Sequence, residues 1–143
     1  MTMHAAAREG TSRGAAVFRA LAAEADAPPW EAIRDVAPGL GAHIEHGLGA
    51  LTGASGLDLR TREIATVCML AALGDCAPQL AFHVAGALRA GADETEVVEA
   101  IAQVSLYAGV PRTLNALAVA RPILAAHRGV PHVAGRPAGQ ADG

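Results

Sequence analysis

Apolar residues recur at helical spacing along most of this chain, and this pattern constrains the fold more than any other sequence feature. The clearest run has steps of four, four and three residues and consists of Leu40, Ile44, Leu48 and Leu51. No segment alternates apolar and polar residues at period two for long enough to predict a strand. The sequence therefore predicts an all-α fold.

The composition favours closely packed helices in a single domain. Of the 143 residues, 52% are hydrophobic but only 3% are aromatic, so most core side chains must be small or aliphatic. We expect one compact bundle of about six helices over 14–128, with a mobile N-terminal segment at 1–13 and a disordered tail at 129–143. Because apolar residues cover more than one helix face, we also expect a homo-oligomer.

Capping residues, glycines and prolines predict where the helices begin and end. Asp58 and Asp93 are expected to cap helix N-termini, and Gly74 is expected to end a helix. Pro122 is expected to kink the last helix because an interior proline removes a backbone hydrogen bond. The predicted helical segments, two of them short, span 14–25, 29–36, 38–51, 59–73, 77–90, 94–107 and 111–128.

Charge and hydropathy disfavour nucleic acids and membranes as partners. The formal net charge is −3, and Lys and Arg are scattered rather than clustered. No apolar run reaches the roughly 20 residues that a bilayer requires, and the N-terminus lacks the apolar stretch of a secretory signal. The two cysteines, Cys68 and Cys76, are too few for a disulfide scaffold. These features predict a cytoplasmic protein.

Three chemically capable side chains lie near the start of the predicted helix 77–90. Cys76, Gln79 and His83 follow one another at steps of three and four, which predicts that they share a helix stripe and face one cavity. A helix N-terminus activates a nearby thiol, so Cys76 is better placed for reactivity than Cys68, which is expected to point into the core. Taken alone, a histidine such as His83 is more often an ordinary helix residue than a catalyst, whereas Cys76 fits either interpretation equally well.

Glu63 lies on the predicted helix 59–73, which a short turn makes an antiparallel neighbour of the next helix. Glu63 can therefore contact His83, and a carboxylate buried beside an imidazole is an arrangement that suits general acid/base catalysis. The alternative is that Glu63 pairs with Arg60 or Arg62, or interacts with the helix dipole.

The six histidines do not predict a metal site. His43 and His46 are three residues apart, but no Cys, Asp or Glu accompanies them at the spacing that metal sites use. We expect neither a metal nor an organic cofactor.

Five segments, taken in their order and spacing, resemble the carboxymuconolactone decarboxylase family, which includes the alkylhydroperoxidase AhpD-like proteins. The first and last of them resemble the lactone decarboxylase branch. The segments are LDLRTRE at 57–63, AALG at 71–74, LAFH at 80–83, ALRAG at 87–91 and YAGVP at 107–111.

The resemblance implies an all-α fold whose subunits assemble into trimers or hexamers, with a catalytic Glu and His at Glu63 and His83. It further implies a cofactor-free lyase, or an acid/base isomerase or cyclase, that acts on a small lactone or conjugated carbonyl compound. In this reading His83 is the general acid/base, Glu63 orients it, and Cys76 is a second acid/base group or part of the pocket wall. Gln79 and Tyr107 are candidates for hydrogen bonds to the substrate.

Two departures from the family patterns leave alternatives open. The peroxidase branch uses Cys-x-x-Cys-x-x-x-His, but Gln79 stands where the second cysteine would be, so a resolving thiol is missing. Lactone decarboxylases typically carry Trp and Arg just before the Leu-Asp motif, whereas 48–56 contains neither, which removes a partner for a substrate carboxylate. The alternatives are a thiol-dependent peroxidase that acts through Cys76 and a non-catalytic oligomeric module.

Overall fold

The computed structural model describes residues 11–129, which form helices joined by short loops. No strand occurs in this range, so the predicted all-α class is confirmed. The predicted mobile segment 1–13 and disordered tail 129–143 lie almost wholly outside the described residues. The helices are Arg13–Leu21 (α1), Pro29–Ala32 (α2), Pro38–Gly47 (α3), Leu59–Leu73 (α4), Ala77–Arg89 (α5), Glu94–Gln103 (α6), Ser105–Ala108 (α7) and Val110–Arg128 (α8).

Several helix ends differ from the prediction for local reasons. Helix α1 ends at Leu21 because the Asp26 carboxylate accepts a hydrogen bond from the Ala23 N–H at 2.7 Å and turns the chain early. Helix α3 gives way to a π-helical turn over Leu48–Thr52. Helix α8 is continuous across Pro122.

Helices α4 and α6 begin at the two aspartates that the sequence predicts. The Asp58 carboxylate accepts a hydrogen bond from the Thr61 N–H at 2.7 Å. Asp93 and Glu96 form a capping box, in which each carboxylate accepts from the backbone N–H of the other residue at 2.8 and 2.9 Å. Gly74 ends α4 with a φ of 70°, a conformation that favours glycine.

Replacing Asp58 by alanine should destabilise the fold at neutral pH, and the effect should shrink in acid. The hydrogen bonds from Thr61 hold the pKa of the Asp58 carboxyl below its ordinary value of 3.8. Because this pKa is lowered by folding, the carboxylate stabilises the fold above the unfolded-state pKa and loses that contribution as the pH falls through the folded-state pKa.

Urea unfolding of the wild type and of Asp58→Ala at pH 7 and at about pH 3 measures this effect. Asp35→Ala is the control, because the exposed Asp35 carboxylate makes no side-chain hydrogen bond within residues 11–129. A difference between wild type and Asp58→Ala that stays constant between the two pH values would contradict the prediction.

The core lies between α4, α5, α6 and α8, and alanine supplies much of it. Small side chains let the helix backbones approach closely, so α4 and α5 pack against each other along much of their length. Contributors that are at most 5% exposed are Val67, Ala71, Leu80, Val84, Ala87, Ala92, Val97, Ile101, Ala116, Ala120 and Leu124. This packing fixes the spacing between α4 and α5, on which the candidate site depends.

Helix α1 lies unusually close to α3 and the π-helical turn, and two glycines permit this approach. A Cβ atom on Gly14 would lie 2.0 Å from the backbone oxygen of Glu45, and one on Gly49 would lie 2.8 Å from the backbone nitrogen of Gly14. The other side of α1 is tied to α5, since the Arg89 guanidinium donates to the Leu21 carbonyl at 2.8 Å. Helix α1 is thereby held between α3 and α5.

None of the helices in the described part of the chain is both long enough and apolar enough to cross a bilayer.

Candidate active site

Glu63 and His83 meet where α4 packs against α5. The Oε2 atom of Glu63 lies 2.7 Å from Nδ1 of His83. The Glu63 side chain is 1% exposed and the His83 side chain is 22% exposed. A carboxylate this deeply buried is stable only with a hydrogen-bonding or charged partner, and His83 supplies it. The contact predicted from the helix order is therefore present.

The two arginines that could have competed for Glu63 have other partners. Arg60 forms an ion pair with Glu96 of α6. Arg62 donates hydrogen bonds to the backbone carbonyls of Leu57 and Ala54 at 3.1 and 3.0 Å. The alternative that Glu63 pairs with one of these arginines is therefore wrong.

Gly86 makes room for the Glu63 carboxylate. A Cβ atom on this buried glycine would lie 2.9 Å from Oε2 of Glu63 and 3.5 Å from Cβ of Leu21. Even an alanine at this position would displace the Glu63 carboxylate, whereas its distance to Leu21 of α1 would be an ordinary van der Waals contact. Gly86 was not among the predicted site residues, although an isolated glycine inside an apolar helix signals a close approach of this kind.

The hydrogen bond to Glu63 sets the chemical state of the imidazole. A carboxylate that accepts from Nδ1–H favours the tautomer in which Nε2 carries the lone pair. Nε2 forms no hydrogen bond to any residue of 11–129. This nitrogen is thus available to exchange a proton with a bound molecule.

His83 lines a cavity of about 350 Å³ between α5 and the first three helices, and aromatic rings form much of its wall. Phe18 stacks on Phe82 with ring centroids 5.5 Å apart and meets Trp30 edge-on at 5.6 Å. The Phe82 ring in turn lies 5.2 Å from the imidazole of His83. Three of the four aromatic side chains in the chain therefore gather at this one cavity.

Comparison with known proteins identifies the scaffold that holds this pair. The model of the carboxymuconolactone decarboxylase family matches residues 38–122, which is more than half of the chain. The chain belongs to the carboxymuconolactone decarboxylase family. The match contains Glu63, His83 and Gly86, but Phe18 and Trp30 lie before its first residue. The hydrogen-bonded Glu63 and His83 thus lie inside the region that matches the decarboxylase family, whereas two of the three aromatic rings of the cavity wall lie outside it.

The chain is similar to a curated protein from Paracoccus denitrificans, described as an uncharacterized 15.0 kDa protein in the nqo9-nqo10 intergenic region. It is 36% identical over 83 residues, which are 57% of this chain and 62% of that protein. The match therefore spans less than two thirds of the relative.

Gln79 lines the same cavity as His83, one helical turn earlier. Its side chain is exposed at the cavity rim, where the amide can reach a bound molecule. Tyr107, by contrast, is 86% exposed on α7 and lines neither this cavity nor the one beside Cys76. Within one chain, Tyr107 therefore does not line the cavity that contains His83.

Cys76 lines a different cavity, of about 320 Å³, together with Arg112 and Asn115. Its thiol donates to the Leu70 carbonyl at 3.2 Å. The prediction that Cys76 shares a cavity with His83 is therefore wrong. Cys76 is the N-cap of α5, and its φ of −132° is not helical. The helical spacing that the prediction assumed therefore applies only from Ala77 onward.

Cys68 is half-buried on α4, where its thiol lies 3.5 Å from the Ala100 carbonyl. It packs against the core, as the sequence predicts. No group of three or more His, Cys, Asp or Glu side chains arranged to hold a metal occurs among residues 11–129.

Alkylation of Cys68 should require a higher pH in the folded protein than in the unfolded chain. Burial raises the pKa of the Cys68 thiol above its ordinary value of 9.0, because desolvation disfavours the thiolate that reacts. The Cys76→Ser variant leaves Cys68 as the single thiol, and its rate of reaction with iodoacetamide can be followed against pH with and without urea. Identical pH profiles in the two conditions would show that burial does not control this thiol.

Proposed function

We propose that this protein is an acid/base enzyme in which His83 transfers a proton to or from a carbon atom of a small lactone or conjugated carbonyl compound. One observation carries the proposal: a fully buried Glu63 accepts a 2.7 Å hydrogen bond from Nδ1 of His83, and His83 lines a cavity. Family membership supports the same reading, since it places this pair on a carboxymuconolactone decarboxylase scaffold.

The chemistry needs three things from the protein. Nε2 of His83 must exchange a proton with a substrate carbon, Glu63 must stabilise the imidazolium that forms when Nε2 is protonated, and a donor must stabilise the enolate oxygen. The Gln79 amide at the rim of the cavity can act as that donor. In an isomerisation, the electrons that form the enolate come from a C–H bond. In a decarboxylation, they come from the C–C bond to a carboxylate that leaves as CO₂. Neither route requires a cofactor.

The thiol-peroxidase alternative has less support. It requires a thiol that works with a base, whereas Cys76 and His83 line separate cavities. Gln79 occupies the place of a resolving cysteine, and Cys68 lies on a different helix. Consumption of hydrogen peroxide that disappears in Cys76→Ser would nevertheless favour it.

The proposal is tested by incubating the purified protein in D₂O with a panel of small lactones and enones, and by measuring deuterium incorporation at carbon by NMR. Release of CO₂ from γ-carboxymuconolactone is measured in parallel, because decarboxylation is the second route. Enzyme-dependent exchange or CO₂ release supports the proposal. Absence of both over the whole panel would count against it and favour a non-catalytic module.

We also propose that the protein is a homo-oligomer, a trimer or a hexamer. Large apolar side chains are exposed on α4, α7 and α8, and we call this set the apolar patch. Helix α8 contacts both α4 and α7, and Arg112 of α8 donates to the Leu73 carbonyl at the end of α4. Exposed apolar patches of this kind mark protein–protein interfaces. The patch consists of Met69 (58% exposed), Leu73 (66%), Leu106 (77%), Tyr107 (86%), Val110 (57%) and Leu114 (60%).

Light scattering coupled to size-exclusion chromatography should therefore give a mass close to three or six times 14.4 kDa. The double variant Leu106→Glu/Tyr107→Glu should lower this mass, because a buried unpaired charge opposes association. Val36→Glu is the control, since Val36 is 82% exposed between α2 and α3 and does not belong to any of the three helices that form the patch. A stable monomer of the wild type would contradict this proposal.

A further inference from the structure

The cavity beside His83 has the wrong charge for an anionic ligand. Among the described residues that line it, none is Lys or Arg, whereas the acidic residue Asp26 is one of them. The remaining wall is mostly aromatic and aliphatic. Arg89 is on the same helix as His83, but its guanidinium donates to the Leu21 carbonyl, and Arg89 is not among the lining residues.

Among residues 11–129, a substrate carboxylate would find no lysine or arginine here, and the Gln79 amide is the one side-chain amide donor in the cavity wall. Moving an ionised carboxylate from water into an apolar cavity is costly unless a cation or several donors meet it. Of the described residues that line the cavity, His83 is the one basic group, and the Glu63 carboxylate already pairs with its imidazole. A second anion would be repelled by Glu63 and by Asp26.

We propose that the cavity takes an uncharged ligand, a neutral unsaturated lactone or cyclic enone without a carboxylate, and discriminates against its carboxylated analogues. This inference rests on the proposed function for its chemistry, but the preference for neutral ligands follows from the cavity alone. A volume of about 350 Å³ and the Phe18, Phe82 and Trp30 rings suit a small planar compound.

The preference decides between the two routes that the proposed function leaves open. A substrate without a carboxylate cannot lose CO₂, so the reaction is a proton transfer. In a conjugated ring, Nε2 of His83 removes a proton from the saturated γ carbon beside the C=C bond, and the C–H electron pair joins the C=C–C=O system to give a dienolate. The imidazolium of His83 returns the proton to the carbon next to the carbonyl, where an electron pair of the dienolate forms the new C–H bond. The product is the isomer in which the double bond has moved by one position, and no co-reactant is consumed.

Trp30 allows ligand binding to be measured without turnover, because it is the only tryptophan in the chain and it lines the cavity. The probes are a butenolide that bears a carboxymethyl group and the methyl ester of the same compound, which differ in charge but share the ring. Titration at pH 7 should change Trp30 fluorescence with the ester at a dissociation constant at least about tenfold lower than with the acid. The Gln79→Arg variant places a cation at the exposed rim of the cavity. It should lower the dissociation constant of the acid and so reduce the difference in affinity between the acid and the ester.

Binding of the acid as tightly as the ester, or binding of neither, would overturn the proposed preference. Deuterium exchange on the ester is measured on the same samples, so the two proposals fail separately. If the ester binds but neither it nor any compound of the panel exchanges or releases CO₂, the proposed function is contradicted and the preference for neutral ligands stands. If the acid exchanges deuterium as fast as the ester, the preference for neutral ligands is contradicted and the proposed function stands.

Discussion

Replacing His83 by glutamine should lower turnover between about a hundredfold and ten-thousandfold while leaving the fold intact. General acid/base groups contribute rate enhancements of this size, and glutamine cannot exchange protons near neutral pH. Glutamine is the sharper choice than alanine, because its amide can still donate to the Glu63 carboxylate. His83→Ala would leave that carboxylate buried without a partner, which is itself destabilising.

The matched variant is Glu63→Gln, which preserves volume but removes the charge that stabilises the imidazolium. It should lower kcat more than it changes KM, because Glu63 contacts His83 and is not among the residues that line the cavity. Turnover is followed by deuterium exchange, and integrity by circular dichroism. Wild-type turnover in a folded His83→Gln protein would show that the Glu63–His83 pair is a structural ion pair and not the catalytic centre.

Replacing Gly14 by alanine should destabilise the protein by about 2–3 kcal/mol, the upper part of the range for forced overpacking. The added Cβ would lie 2.0 Å from the backbone oxygen of Glu45, and a backbone atom inside α3 cannot give way as a side chain can. Helix α1 would have to move, and with it Phe18 and Leu21, which line the cavity. Both stability and the environment of Trp30 should change.

Urea unfolding followed by Trp30 fluorescence measures both effects in one experiment. Gly39→Ala is the control, since nothing lies within 4 Å of a Cβ at that position on α3. It should leave the protein as stable as the wild type or more stable by about 0.5–1 kcal/mol, because alanine has a higher helix propensity than glycine. Equal stability of Gly14→Ala and wild type would mean that α1 is not held tightly against α3.

Local chemistry made much of the helix pattern predictable. Asp58 and Asp93 carry caps that depend on residues only three positions away, and Gly74 ends its helix through its own backbone conformation. The π-helical turn after α3 could not be anticipated in the same way. It lies where Gly49 meets the backbone of α1, a contact between residues some 35 positions apart that leaves no periodic signal in the sequence.

The candidate site was predictable to the extent that it depends on neighbouring helices. Glu63 and His83 lie on two helices joined by a short turn, so their contact follows from helix packing. Cys76 was misplaced because a residue just outside a helix does not obey helical periodicity. Phe18 and Trp30 reach the cavity through tertiary packing alone, and the scarcity of aromatic residues was the one available hint.

The division of the cavity between two stretches of chain separates reactivity from selectivity. The hydrogen-bonded pair proposed to transfer the proton comes from α4 and α5, whereas Phe18, Asp26 and Trp30 come from the first twenty described residues. Substitutions in this N-terminal stretch can therefore reshape the space offered to a ligand while the 2.7 Å contact between Glu63 and His83 persists. Protein engineering or natural selection could therefore change the ligand preference of such a scaffold by substitutions in α1 and α2 while α4 and α5 stay unchanged.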